Sequence, residues 1–455
     1  MTMLGEYRAL TQNPLLFLEQ KGQSKADVIP IRIGLETLYL LNNADHVKSV
    51  FVGNDPNFVK GRYYRRITPL LGGGLFTLEG EEWRRQRHIA QPFFGGEHFR
   101  AFAPMIGQSG QQTIQIIKTH LADGAGGPGG EGRSDLDLLN FFSAIALMIA
   151  VHVFFGLKVR FDDSVQLAQD LSDILRFLED RLWSPIPLPL WLPTKDNQHF
   201  NERNRHFHRF LDQQIDQRLA GEGDDQGALL LDAILAANGL TATDRAENPD
   251  ARRKTTRAQL LSILIAAFET SALSMLWSLI LLKQNPEIEA QMRAEADAVL
   301  NDEKLNTAHI NQLEIAKRVY QESMRLYPPG WCFSRELEKP HEFGNTQLSA
   351  GKTVILCAYN IHRNPLYWEH PTRFYPDHFT SENSAKRPRH AYFPFAGGRH
   401  ACLGARFAML EGPYLLSLIL KNFEIDIEEA EEIKPIAATT LRPDRPVRAH
   451  FVLRP

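Results

Sequence analysis

The chain has 455 residues, 43% of them hydrophobic, with 51 Lys and Arg against 54 Asp and Glu for a net charge of −3. That balance gives no reason to expect nucleic acid or a strongly anionic surface as a partner, and it supplies ample apolar material for a large core. The three cysteines, Cys332, Cys357 and Cys402, are odd in number and far apart, which excludes a disulfide framework and predicts reduced thiols in a cytoplasmic protein.

The first apolar run, Pro14–Leu18, is too short for a signal peptide or a spanning helix. No later segment reaches about 18 uninterrupted apolar residues, so no transmembrane segment is expected. Val28–Ile33 and Thr37–Leu41 read as a small hairpin, and Ala44 to Val52 as a short helix. Gly61 to Gly74 is aromatic, basic and glycine-rich with no clean period, which predicts a loop. Glu79 to Gln91 is a polar helix carrying Trp83, Arg84, Arg85, Arg87 and His88.

The glycine run Gly124–Gly130 has no Lys-Ser/Thr at phosphate-loop spacing and no strand before it, so a flexible linker is the better reading. Leu136–Phe155 is an apolar core helix. Pro185–Pro193 is an extended apolar loop, Asp196–Leu219 a long helix, and Ala258–Lys283 the most apolar helix of all. After Leu326 helices give way to strands and turns: Gln347–Leu348, Thr353–Cys357 and a proline-rich run from Pro365 to Phe379. A last helix follows Cys402. The pattern is mainly α with small β-sheets, and it predicts a single domain over residues 1–455.

Phe395-Ala396-Gly397-Gly398-Arg399-His400-Ala401-Cys402-Leu403-Gly404 is the most informative segment. Glycines let a backbone pass close to a flat cofactor. A helix N-terminus favours a thiolate over a thiol, and a thiolate is a suitable axial ligand for heme iron. A structural cysteine at a helix start is the plain alternative. The segment resembles the signature Phe-x-x-Gly-x-Arg-x-Cys-x-Gly of the cytochrome P450 family. Phe395, Gly398, Cys402 and Gly404 stand in register, and His400 replaces the arginine that pairs with a heme propionate.

Three further segments carry the same resemblance. Glu322-Ser323-Met324-Arg325 places an acid and a base on one helical face; the family's third member of that trio, an arginine, is His378 here, so a weaker or water-mediated network is expected. Ala266-Ala267-Phe268-Glu269-Thr270-Ser271 resembles the oxygen-activation segment. It implies that Thr270 hydrogen-bonds the oxygen being activated and that Glu269 relays protons to it. Back-bonding by Thr270 and a buried ion pair for Glu269 are the alternatives. Ala267 replaces a glycine. Trp83 and Arg87, at i and i+4, match a pair that reaches a heme propionate, and Arg335 stands where another propionate-binding arginine is often found.

The resemblance implies heme b (iron protoporphyrin IX) ligated by Cys402, with Trp83, Arg87, Arg335 and His400 around it. The heme would lie between the helix of Thr270 and the loop of Cys402. The implied activity is insertion of one oxygen atom from O2 into a lipophilic small molecule such as a fatty acid, terpenoid or polyketide-like compound, by hydroxylation or epoxidation. The pocket would draw on the 61–76 loop, Ala267, Phe268, Trp331 and Phe333. The chain ends soon after Cys402, so electrons are expected from a separate ferredoxin or flavodoxin-type donor with its reductase. Arg84 and Arg85 offer a basic dock or simply a solvated face. Peroxygenase chemistry, oxidative coupling or desaturation at the same heme remain alternatives, as does a heme-based sensor, against which the Glu269–Thr270 pair argues.

Overall fold

The computed structural model describes residues 3–34, 36–52, 56–124, 134–183, 188–223, 229–240, 249–300 and 307–454. Contacts group the chain into two compact units: Met1–Arg66 with Arg318–Cys402 and Lys434–Asp444, and Ile67–Lys317 with Leu403–Ile433 and Arg445–Pro455.

The first unit is organised by a five-stranded sheet in the order Val28–Ile33, Glu36–Leu41, Thr353–Cys357, Cys332–Leu337, Phe58–Val59. The expected hairpin is present, with Val28 opposite Leu41, and Glu36–Leu41 runs parallel to Thr353–Cys357. Successive strand residues face opposite ways, so Ile355 and Cys357 join a core cluster with Leu10, Phe17, Leu38, Leu40 and Trp331. Val354 and Leu356 join a second cluster with Leu41, Val47, Phe51 and Phe393. Coverage on both faces is why the central strand reads as an unbroken apolar run.

Gly61–Leu71 is a helix, not the predicted loop. Its start depends on a residue far along the chain: the Glu336 carboxylate accepts from Arg62 N at 3.1 Å and Arg62 Nε at 3.2 Å, and pairs with Arg65 at 3.3 Å. An anion there satisfies orphan N–H groups and suits the positive end of the helix dipole.

In the second unit the helix Leu138–Phe155 is the core element, packed against the helix Pro249–Lys283. Leu136 and Asp137, expected to be helical, belong to a strand paired with Ala449 and Arg448. Asp137 caps the helix by accepting from Asn140 N at 3.1 Å, and Gly156 ends it at φ +68°. The Lys195–Leu219 helix starts one residue earlier than expected because Thr194 caps it, accepting from Asn197 N. Pro249–Lys283 starts well before the expected Ala258, held by ion pairs from Arg253 to Asp216 and from Arg257 to Asp212.

Among the described residues two helical stretches, Leu138–Phe155 and Asp250–Lys283, are long and apolar enough to cross a membrane, and 89% and 83% of their apolar 18-residue windows is buried inside the protein. The glycine run beyond Gly124 and residues 184–187 of the proline-rich loop lie outside the described residues. The rest of that loop exposes Leu188 and Trp191.

Burial alone would push the Glu336 carboxyl up, but the hydrogen bonds from Arg62 and Arg65 outweigh it and hold it below its ordinary value. A depressed carboxyl stabilises the fold above its unfolded pKa and loses that contribution as pH falls through the folded one. Glu336→Gln is therefore expected to lower unfolding stability by about 1–2 kcal/mol at neutral pH. Denaturant titrations at several pH values should show that difference shrinking below about pH 4.5.

Candidate functional site

The cysteine loop is shaped by backbone before side chains matter. Cys402 N donates to Phe395 O at 2.9 Å and Ala401 N to Gly398 O at 3.1 Å, closing the loop on itself and leaving the Cys402 side chain exposed. Gly398 has φ +63°, and a Cβ there would stand 1.5 Å from the carbonyl oxygen of Phe51; one on Gly397 would meet the Phe51 side chain at 2.9 Å. Both positions admit only glycine because the helix Ala44–Val52 lies directly beneath them.

Beside the loop, Arg335, Arg399 and His400 line a small cavity with Val50, Phe51, Phe58 and Gly397. Arg399 donates to Phe58 O at 3.1 Å. Arg335 is 4% exposed and donates to Ser334 O at 2.8 Å. Among the described residues no carboxylate forms an ion pair with it, so a buried cation here has room for an anionic partner.

Behind the loop lies the Glu322–Arg325 pair, fully buried on the helix Glu314–Leu326. Arg325 holds both Glu322 oxygens at 2.7 Å and also donates to the carbonyls of His362, Pro371 and Arg373. Glu322 accepts in addition from Tyr375 N at 2.8 Å. His378 Nδ1 stands 3.2 Å from both Glu322 oxygens. The expected weak or water-mediated link is thus a direct contact, because the shorter imidazole sits on the same turn as Tyr375. Arg387, which sequence reasoning passed over, donates to His378 O at 2.6 Å, and its guanidinium lies 4.3 Å from the Trp368 ring, with Arg325 4.9 Å from the same ring.

His362 was also missed. Its Nε2 accepts from Phe393 N at 2.9 Å, just ahead of the cysteine loop. Burial, together with Arg325 and Arg363, drives its pKa well below the ordinary value, so the ring is neutral and able to accept. Only its place after an apolar strand could have drawn notice to it.

In the second unit, the helix Pro249–Lys283 is buried along most of its length but opens at Ala266, Ala267 and Thr270, which share one face. The segment before it is clamped: Phe76 N donates to Ser262 Oγ at 2.8 Å, and a Cβ on Gly74 would come within 2.6 Å of Ala258 O. Thr270 Oγ1 donates to Ala266 O at 2.6 Å, the back-bond foreseen as an alternative. Glu269 is 3% exposed. Phe268 is wholly buried and Trp331, in the first unit, is a core residue whose Nε1 donates to Ala438 O at 2.9 Å. Both are buried, whereas Ala267 and Phe333 are partly accessible. Trp83 is buried with the Arg87 guanidinium 5.9 Å from its ring, and Arg87 Nε also reaches Gln91. Arg84 pairs with Glu81 and Arg85 with Glu82 on the same helix, so this face carries local ion pairs in place of a bare basic patch.

The residue after Thr270 leads to a further group that the sequence did not single out. Ser271 Oγ donates to Glu411 Oε2 at 2.8 Å, and Glu411 is fully buried on the helix Ala405–Asn422, with Oε1 unpartnered. Burial pushes the Glu411 carboxyl up to about 8, against the opposing effect of the Ser271 hydrogen bond. Only its burial, invisible in sequence, marks it out.

The sequence profile of the family Cytochrome P450 matches residues 2–451. Two proteins of Streptomyces melanosporofaciens are similar along nearly the whole chain. Cyclooctatin synthase is 26% identical over 445 residues, covering 97% of this chain and 90% of that protein. Cyclooctat-9-en-7-ol 5-monooxygenase is 27% identical over 447 residues, covering 96% and 89%. Pentalenene oxygenase of Streptomyces avermitilis is 24% identical over 455 residues, covering 99% and 96%. A crystal structure of a cytochrome P450 matches the fold with a TM-score of 0.80 at 21% identity, covering 97% of this chain and 98% of that one. Together these define a heme-dependent oxidoreductase. The chain belongs to the cytochrome P450 family.

Two tests probe the site's scaffold. Arg325→Met leaves Glu322 charged and buried without its main partner, and should lower stability by about 3–5 kcal/mol in urea unfolding. Glu411 is the opposite case. A carboxyl whose folded pKa lies near 8 keeps its proton where the unfolded chain has lost it, so wild-type stability falls as pH rises from about 4.5 to about 8. Glu411→Gln should remove up to ~4 kcal/mol of that fall, giving a flatter profile and a higher Tm than wild type at pH 8–9 by calorimetry.

Proposed function

We propose that the chain, acting as one heme-binding domain over residues 1–455, is a monooxygenase that inserts one oxygen atom from O2 into a lipophilic substrate. The observation that carries this reading is the buried Arg335 guanidinium, with no ion-pair partner among the described residues and beside the glycine-shaped loop that presents Cys402. A buried cation of this kind is costly unless an anion answers it, and a heme propionate is such an anion. The donor set therefore fits heme b: Cys402 as thiolate ligand, Arg335 and His400 for one propionate, and Trp83 and Arg87 for the other.

When bound, thiolate-ligated heme supplies the reduction of O2 and the transfer of an oxygen atom. The protein's own part is to manage protons and water around it. The Thr270 hydrogen is committed to Ala266 O, so its hydroxyl oxygen is free to accept a hydrogen bond on the accessible face. The Glu269 carboxyl, nearly buried, must rotate outward to collect a proton from solvent and return it toward Thr270. Ala267, a methyl group wide where the family usually has none, narrows the space beside Thr270.

The relatives' names speak of an unsaturated alcohol, cyclooctat-9-en-7-ol, and of pentalenene. They support a substrate of the terpenoid kind. Electrons would come from a separate ferredoxin or flavodoxin-type donor and its reductase. Because Arg84 and Arg85 are matched by neighbouring glutamates, reduction is expected to depend only weakly on salt. The free thiols support a cytoplasmic setting.

The ferrous–CO difference spectrum of wild type beside Cys402→Ala tests the ligand: a thiolate-type red-shifted Soret band should appear in wild type and vanish in the variant. An imidazole-type band in wild type would overturn the reading. Thr270→Ala should keep the wild-type CO band but divert electrons, with several-fold less product and more hydrogen peroxide per NAD(P)H consumed; unchanged coupling would remove Thr270 from the proton path.

A further inference from the structure

Two of the three cysteines have no place in the heme reading, yet the sheet brings them together. Cys332 opens the strand Cys332–Leu337 and Cys357 closes Thr353–Cys357; the strands are antiparallel and their register sets the two residues directly opposite each other. Both side chains lie on one face: Cys357 is part of the cluster built on Ile29, Leu38 and Trp331, and Cys332 packs against that cluster. Cys357 is buried and Cys332 partly so, and their thiols are hydrogen-bonded to each other. Directly opposed residues in an antiparallel pair have Cα atoms about 4.5–5.5 Å apart, inside the roughly 4.4–6.8 Å that a disulfide spans. The register therefore places the pair within disulfide reach.

We propose that Cys332 and Cys357 form a dithiol site that hydroperoxides oxidise to a reversible cross-strand disulfide. Cys332, the more accessible member, loses its proton and attacks: its sulfur takes one peroxide oxygen with one peroxide proton to become a sulfenic acid, while the other oxygen leaves as water, carrying the second peroxide proton and the one the thiol gave up. Cys357 then attacks that sulfur, the S–S bond forms, and a second water leaves. Each sulfur gives up one electron and the peroxide takes two, so a dithiol and H2O2 become a disulfide and two H2O. The hydrogen bond that the Cys332 thiol donates to Cys357, together with burial, holds it protonated, which slows its oxidation, keeps the site reduced at low peroxide and reserves its response for a sustained load. Closure clips the strand that leads from Trp331 to Phe333 onto the centre of the sheet.

Trypsin separates all three cysteines, into Leu326–Arg335, Thr353–Arg363 and His400–Arg406. The heme-loaded enzyme would be incubated with excess hydrogen peroxide, quenched in acid, alkylated under denaturing conditions and digested without reduction. Mass spectrometry should find the first two peptides joined, two hydrogens lighter than their sum, and separated again by dithiothreitol, with the CO spectrum of the same sample retained. Cys332→Ser and Cys357→Ser should each abolish the link. Because a serine variant can perturb the core, wild type treated with diamide serves as a second route to the same linked pair. Full alkylation of both cysteines after either oxidant, linkage of either one to Cys402, or over-oxidation of Cys332 with Cys357 still alkylated would overturn the proposal.

Discussion

A guanidinium sealed from water has five N–H groups to place, and Arg325 places them all: two on Glu322 and three on the carbonyls of His362, Pro371 and Arg373. Glu322 in turn collects Tyr375 N and His378. Backbone at His362 and along Pro371–Tyr375, with little regular structure of its own, is tied to one ion pair, and His362 passes that order to Phe393. The cysteine loop is therefore held in position from behind by electrostatics and from beneath by the Phe51 carbonyl. Such a pair contributes little net stability against an apolar replacement of both partners, but it fixes a single arrangement of the backbone behind the cysteine loop.

The second unit solves a different problem. A polar stripe of Thr270, Ser271, Ser274 and Ser278 runs along the core helix, and each hydroxyl finds a partner: Thr270, Ser274 and Ser278 on carbonyls four residues back, Ser271 on Glu411. The helix can thus carry polar chemistry through an apolar interior without unsatisfied hydroxyls. The Glu411 carboxyl that Ser271 meets is fully buried, and that burial is what raises its pKa.

What could be read from sequence was what is local. The hairpin at Val28–Leu41 and the helix at Ala44–Val52 follow from period and punctuation over a few residues. The cysteine loop and the Glu322–Arg325 spacing could be read because their chemistry fixes their residue types. The helix Gly61–Leu71 could not, since the carboxylate at its start comes from Glu336, and neither could the early start of Pro249–Lys283, held by Asp212 and Asp216. For Phe268 and Trp331 the sequence leaves a choice open, because an aromatic side chain has the same character in a core as on a pocket wall. Cys332 and Cys357 looked unrelated because strand register has no signature in linear spacing.

The first unit is assembled from three separated lengths of chain, and that has a consequence during synthesis. Its opening hairpin leaves the ribosome with the edge of Glu36–Leu41 unpaired, and the parallel partner, Thr353–Cys357, is made only after the whole Ile67–Lys317 segment. At about 5–20 residues per second, that wait lasts tens of seconds or more. Through it the nascent protein displays a strand with apolar groups on both faces and an open hydrogen-bonding edge, a template for association with other chains. The unit's completion thus depends on that edge staying free of other chains until Thr353–Cys357 is made.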